Sequence, residues 1–104
     1  MSGKNGGQYQ VSIKKEMGIS HRDFFRILPR VMEGRNYTAD GQLIVIDEPE
    51  RRLEIHLADQ RERPMGPLVR LPVTDVELIF FNYLEADRVS FIKFFDINFF
   101  KGGG

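Results

Sequence analysis

Residues 9–35 read YQVSIKKEMGISHRDFFRILPRVMEGR, and the spacing of their apolar residues changes midway. Tyr9, Val11 and Ile13 alternate with Gln10, Ser12 and Lys14, the period of two expected of a strand with one buried face. From Phe24 onward the rule is different. Phe24, Ile27, Leu28, Val31 and Met32 fall at i, i+3, i+4, i+7 and i+8, one face of an amphipathic helix. Ser20 is placed to cap that helix, Asp23 suits its positive end, and Gly34 suits its C-terminus. Pro29 interrupts the scheme. It cannot donate to the carbonyl of Phe25 and its ring crowds that turn, so the helix is expected to bend there or split into two short pieces.

Beyond Arg35 the pattern returns to β. LIVID (43–47) and RRLEIHLAD (51–59) flank EPER, a turn with Pro49 at its second position. Leu53, Ile55 and Leu57 face one way, and Arg52, Glu54 and His56 the other. Within residues 36–47, Asp40-Gly41 reads equally as a hairpin turn after a short strand or as a bulge in one longer strand. A charged loop, DQRERPMGP, precedes PLVRLPV and DVELIFFNY, which a corner near Pro72–Asp75 should separate. All these connections are short, as in an antiparallel meander. EADRVSFIKFFDINFFK (85–101) is a second helix, with Glu85 and Asp87 near its start and Lys101 and Gly102 at its end.

The expected fold is therefore α+β, in the order β-α-β(4)-α: a mostly antiparallel five-stranded sheet with both helices on one face. Residues 1–7 read as a disordered leader, 8–101 as a single domain and 102–104 as a glycine tail. This order resembles the TATA-binding-protein-like arrangement, which also underlies the larger helix-grip, lipid-binding folds. That resemblance implies a helix-covered sheet and, in the helix-grip case, a hydrophobic small molecule held between helices and sheet. The pattern Phe91, Phe95-Asp96, Phe99 and Gly102–Gly104 is also similar to the C-terminal pattern of bacterial proteins of uncharacterised role.

Composition narrows the function classes. There is no Cys among 104 residues, which excludes disulfides, thiolate metal sites and Cys nucleophiles. No apolar run approaches a membrane span and residues 1–10 carry no signal-like apolar region, so a cytoplasmic protein is expected. Fifteen basic and fifteen acidic residues balance to a formal net charge of zero. Residues 1–35 hold seven basic and three acidic side chains, a smaller excess than a dedicated nucleic-acid binder carries.

Chemical motifs are sparse. The triplet His21-Arg22-Asp23 matches that of protein-kinase catalytic loops, but Leu28 stands where those loops need Asn. His21 and His56 lack a spaced second ligand, so no metal site or cofactor is expected. His56 beside Glu54 could form an acid–base pair, although residues two apart on a strand are a common solvated pattern. With no phosphate loop, nucleophile elbow or dinucleotide fingerprint, catalysis is not the favoured class.

Surface readings remain. Arg22, Arg26 and Arg30 form a basic stripe opposite the core face of the first helix. On the last helix, Phe91, Ile92, Phe95 and Phe99 should cover the sheet, which leaves Phe94 and Ile97, with Phe100 on a flank, on the outer side. A buried Phe is worth about 2–3 kcal/mol over an exposed one, and large apolar patches mark partners. These observations point to a non-enzymatic binding or assembly domain, a homodimer or one with a protein partner, acting through Phe94, Ile97 and Phe100. Two alternatives stay open. One is a diglycine-tailed sulfur carrier or modifier using Gly103 and Gly104, and the other is the hydrophobic-ligand binder.

Overall fold

The computed structural model describes residues 9–103. The expected leader, residues 1–7, and Gly104 lie outside the described residues. The chain runs β1 (Gln10–Met17), α1 (His21–Met32), β2 (Thr38–Asp40), β3 (Leu43–Glu48), β4 (Arg51–Leu57), β5 (Arg61–Pro64), β6 (Arg70–Phe81) and α2 (Glu85–Gly103). The class is α+β, with every strand pair antiparallel. The sheet order is β1-β6-β4-β3-β2, and β5 also pairs with β6. Strands β2, β3 and β4 form a meander that β6 continues, and β1 closes against β6.

One face of the sheet is the core. Three rows of facing residues lie under the helices: Val11, Phe80, Leu53 and Ile46; Ile13, Leu78, Ile55 and Ile44; Lys15, Val76 and Leu57. The helices bring Phe24, Ile27, Leu28, Val31, Met32, Phe91, Phe95 and Phe99 onto this face, all buried. Phe24 is the joint between the helices. Its ring stacks on Phe99 at 4.6 Å, meets Phe95 at 6.3 Å and takes Phe25 edge-on at 5.8 Å.

Three expectations need correction. Of the bend or split expected at Pro29, the split does not occur: α1 is one element with Pro29 inside it. Ile27 and Leu28 before the proline, and Val31 and Met32 after it, are all buried, so packing holds both halves on the sheet while Pro29 stays exposed. The Ser20 hydroxyl accepts from Asp23 N–H at 3.1 Å, as expected of the N-cap. At the other end the left-handed cap falls on Glu33, one residue before Gly34, and its N–H donates to the carbonyl of Pro29.

The sheet has six strands where five were expected. Asp40 pairs with Leu43, so a short β2 precedes a tight hairpin. Gly41 has φ +60 at the first central position of that turn, which glycine adopts without strain. PLVRLPV and DVELIFFNY are one continuous strand, β6, with no corner at Pro72, and the charged loop before them contains β5. Beside Pro72 the ribbon has only β5 as a neighbour, so its other edge tolerates a residue without an N–H. The third correction is that α2 runs through Gly102 to Gly103, so Gly102 is not the residue that ends it.

A bulge joins β4 to β5. Four positions separate Leu57 from Arg61, but only three separate their partners Val76 and Val73. The extra residue lies within Ala58–Gln60, and α1 locks it in place. The His21 ring donates from Nε2 to the Ala58 carbonyl at 2.8 Å, and the His21 backbone N–H donates to Gln60 Oε1 at 2.8 Å. Thr74, buried beside this point, donates from Oγ1 to the Ile19 carbonyl at 2.8 Å.

Candidate functional site

Successive residues of α2 lie 100° apart, so one stripe faces the core and another must face out. The inner stripe is Phe91, Phe95 and Phe99. Lys15 of β1 fixes the helix about its axis by pairing with Asp96 at 2.9 Å, and Arg51 does so at its start by pairing with Asp87 at 2.9 Å. The outer stripe is Val89, Lys93, Ile97 and Phe100, at i, i+4, i+8 and i+11, and all four are exposed. Phe100 is 83% accessible and Ile97 47%. Phe94 is only half-buried and borders this stripe. Of the three residues singled out from sequence, Ile97 and Phe100 thus lie open to solvent together, with Phe94 at their margin.

Arg22, Arg26 and Arg30 are exposed along α1, as their spacing implied. Arg26 is within 3.4 Å of Asp23. Gly103 lies in the last turn of α2, and Gly104 is outside the described residues.

The uncovered face of the sheet carries a second group of polar residues. Glu54 sits between His56, whose Nε2 is 2.8 Å from Oε1, and Arg52, whose Nε is 2.8 Å from Oε2. The His56 hydrogen bond, then Arg52, hold the Glu54 carboxyl below its usual range against the opposing effect of burial. Both of its oxygens are engaged, which makes it a poor proton acceptor for a substrate. Glu77 lies opposite His56 in the ladder and accepts from the Ser12 hydroxyl. A shallow cleft of about 510 Å³ opens here, lined in part by Lys14, Glu16, His56, Asp75 and Glu77. Its charges are mixed in sign, and Glu16, His56 and Asp75 are engaged by Arg61, Arg63 and Glu54 beside it, as on an ordinary solvated sheet face. Among the described residues, no group of three or more His, Cys, Asp or Glu side chains is placed to hold a metal ion. No described helix is long and apolar enough to cross a membrane.

Sequence reasoning missed a third surface. Beyond the end of β1, β5 and the first part of β6 continue as a two-stranded ribbon in which Arg61–Arg70 are all exposed. Arg61 pairs with Glu16 at 2.6 Å and Asp75 at 2.8 Å, and Arg63 pairs with Glu16 at 2.8 Å. These pairs hold the Glu16 carboxyl below its usual range, chiefly through Arg63, and fix the base of the ribbon. Its tip is apolar. Leu68 is 95% accessible and Met65, Val69 and Leu71 are also exposed. The signal was present in RERPMGPLVRL, where Met65, Leu68, Val69 and Leu71 stand among turn-forming prolines and a glycine.

Comparison with protein-family models, with curated proteins and with solved structures finds no significant match to this chain.

Proposed function

We infer that this chain is a non-enzymatic assembly domain that associates through the outer side of α2. The observation that carries the reading is the pairing of Ile97 with Phe100 on the solvent side of a helix whose other side is already filled by Phe91, Phe95 and Phe99. Leaving two large apolar side chains in water forgoes about 2 kcal/mol each, and a protein surface is the usual place for them. A formal net charge of zero puts no long-range repulsion between two copies, which favours the homodimer over a highly charged partner. The space between helices and sheet is occupied by the stacked rings of Phe24, Phe95 and Phe99, which lends a hydrophobic ligand there no support. A carrier reading would need an extended tail, whereas Gly102 and Gly103 are helical.

The test compares solution mass and fold. Light scattering coupled to size exclusion should show a concentration-dependent dimer for the parent chain. Ile97→Lys with Phe100→Glu should leave it monomeric, with far-ultraviolet circular dichroism unchanged. Phe95→Glu, which buries an unpaired charge, should instead unfold it. A parent chain that stays monomeric at millimolar concentration would reject the reading.

A further inference from the structure

The ribbon of β5 and β6 gives α2 an occupant. We propose that the chain forms a closed dimer by reciprocal exchange, in which the tip of each ribbon, through Met65, Leu68 and Val69, seats on the Ile97–Phe100 stripe of the other copy's α2. This rests on the reading of α2 given above and adds what covers it.

Three observations carry it. First, a two-stranded ribbon is marginally stable alone, yet this one continues past the sheet with every residue from Arg61 to Arg70 exposed and an apolar tip. A ribbon built to stay in water would place charged residues there. Second, it is preset and aimed. Pro64 and Pro67 flank Gly66, whose φ of +121 disfavours other residues, and the Arg61 and Arg63 ion pairs tie its base to the uncovered face of the sheet, away from the chain's own helices. Both apolar patches are therefore open in the single chain.

The third is area. A helix-to-helix contact buries two apolar patches, one from each copy, whereas reciprocal exchange buries four and so reaches further toward the roughly 1,200–2,000 Å² of a stable interface. A two-fold axis generates both contacts at once and closes the assembly.

A complementation experiment separates this arrangement from its competitors. Two variants are made: Met65→Ser with Leu68→Ser in the ribbon, and Ile97→Lys with Phe100→Glu in the helix. All four positions lie on the surface, so both variants should keep the parent fold by circular dichroism. In the exchange dimer either variant alone has lost both contacts, so each should dimerise at least 100-fold more weakly than the parent chain. Mixed, the intact ribbon of one meets the intact helix of the other, which restores one of the two contacts. Sedimentation velocity should then show a heterodimer weaker than the parent dimer but tighter than the self-association of either variant. A ribbon variant that dimerises as tightly as the parent overturns the exchange while leaving the α2 reading in place. A helix variant that still dimerises overturns both, and a mixture that associates no more tightly than either variant alone overturns the exchange.

Discussion

Tyr83 is the residue whose chemistry is least accommodated. It is buried, its ring packs against Phe80 at 5.1 Å, and the Arg51 guanidinium lies 4.4 Å above it. Its hydroxyl, however, has no hydrogen-bond partner among the described residues. Burial pushes the phenol above its ordinary 10.0, with Arg51 opposing. A group whose folded pKa is raised contributes its stability below the unfolded value and loses it as pH climbs past that value. Tyr83→Phe keeps the ring and its cation contact but removes the stranded hydroxyl. The variant should be more stable than the parent by about 1 kcal/mol at neutral pH. That advantage should widen above pH 10, where the phenol ionises in the unfolded parent but is held neutral by burial in the folded one. Urea unfolding at pH 7 and pH 10.5 measures both; an advantage that narrows at the higher pH would show that the burial argument has the wrong sign.

At the scale of elements, Pro29 offers the sharpest test. In α1 it costs one backbone hydrogen bond to Phe25, and burial of Ile27, Leu28, Val31 and Met32 outweighs the loss. Pro29→Ala restores the donor at an exposed position. After allowing for the greater freedom of the unfolded chain, it should stabilise the domain by about 2 kcal/mol. A denaturation midpoint equal to that of the parent would mean that the turn is already strain-free. The same competition explains what could be read from sequence. Elements with one buried face announced themselves: the 3.6-residue spacing of Phe24 to Met32 gave α1, and the alternation of Leu53, Ile55 and Leu57 gave β4. Ile97 and Phe100 were legible for the same reason, because a helix with both sides apolar has a side left over. The ribbon had no such mark. Arg61–Pro64 buries nothing, so no periodicity exists to be seen, and Pro64, Pro67 and Pro72 argue for a loop until the pairing with β6 is known. Three-residue β2 was legible only as one of two readings of Asp40-Gly41, and the contact of His21 with Ala58 depends on a bulge that only the ladder reveals.

For the whole molecule, β6 divides into two regimes. Thr74–Phe81 is hydrogen-bonded between β1 and β4, or their continuation, whereas Arg70–Val73 has only β5 beside it. Amide exchange should follow this division. In the monomeric Ile97→Lys, Phe100→Glu variant, the amides of Arg70, Leu71 and Val73 should exchange orders of magnitude faster than those at 76–80, and uniform protection along β6 would contradict the two-regime strand. The seat of β1 has a consequence for synthesis. Gln10 pairs with Phe81 and Met17 with Thr74, so β1 leaves a ribosome before its partner β6, which follows only after the meander. At roughly 5–20 residues per second that is a wait of several seconds with an unpaired edge in the company of other nascent chains. Lys14, Lys15 and Glu16 stand consecutively on this strand, and any mispairing neighbour would have to bury them without Asp96, Arg61 and Arg63, which are made later. Charges that anchor α2 and the ribbon in the finished fold therefore act first as gatekeepers against aggregation during translation.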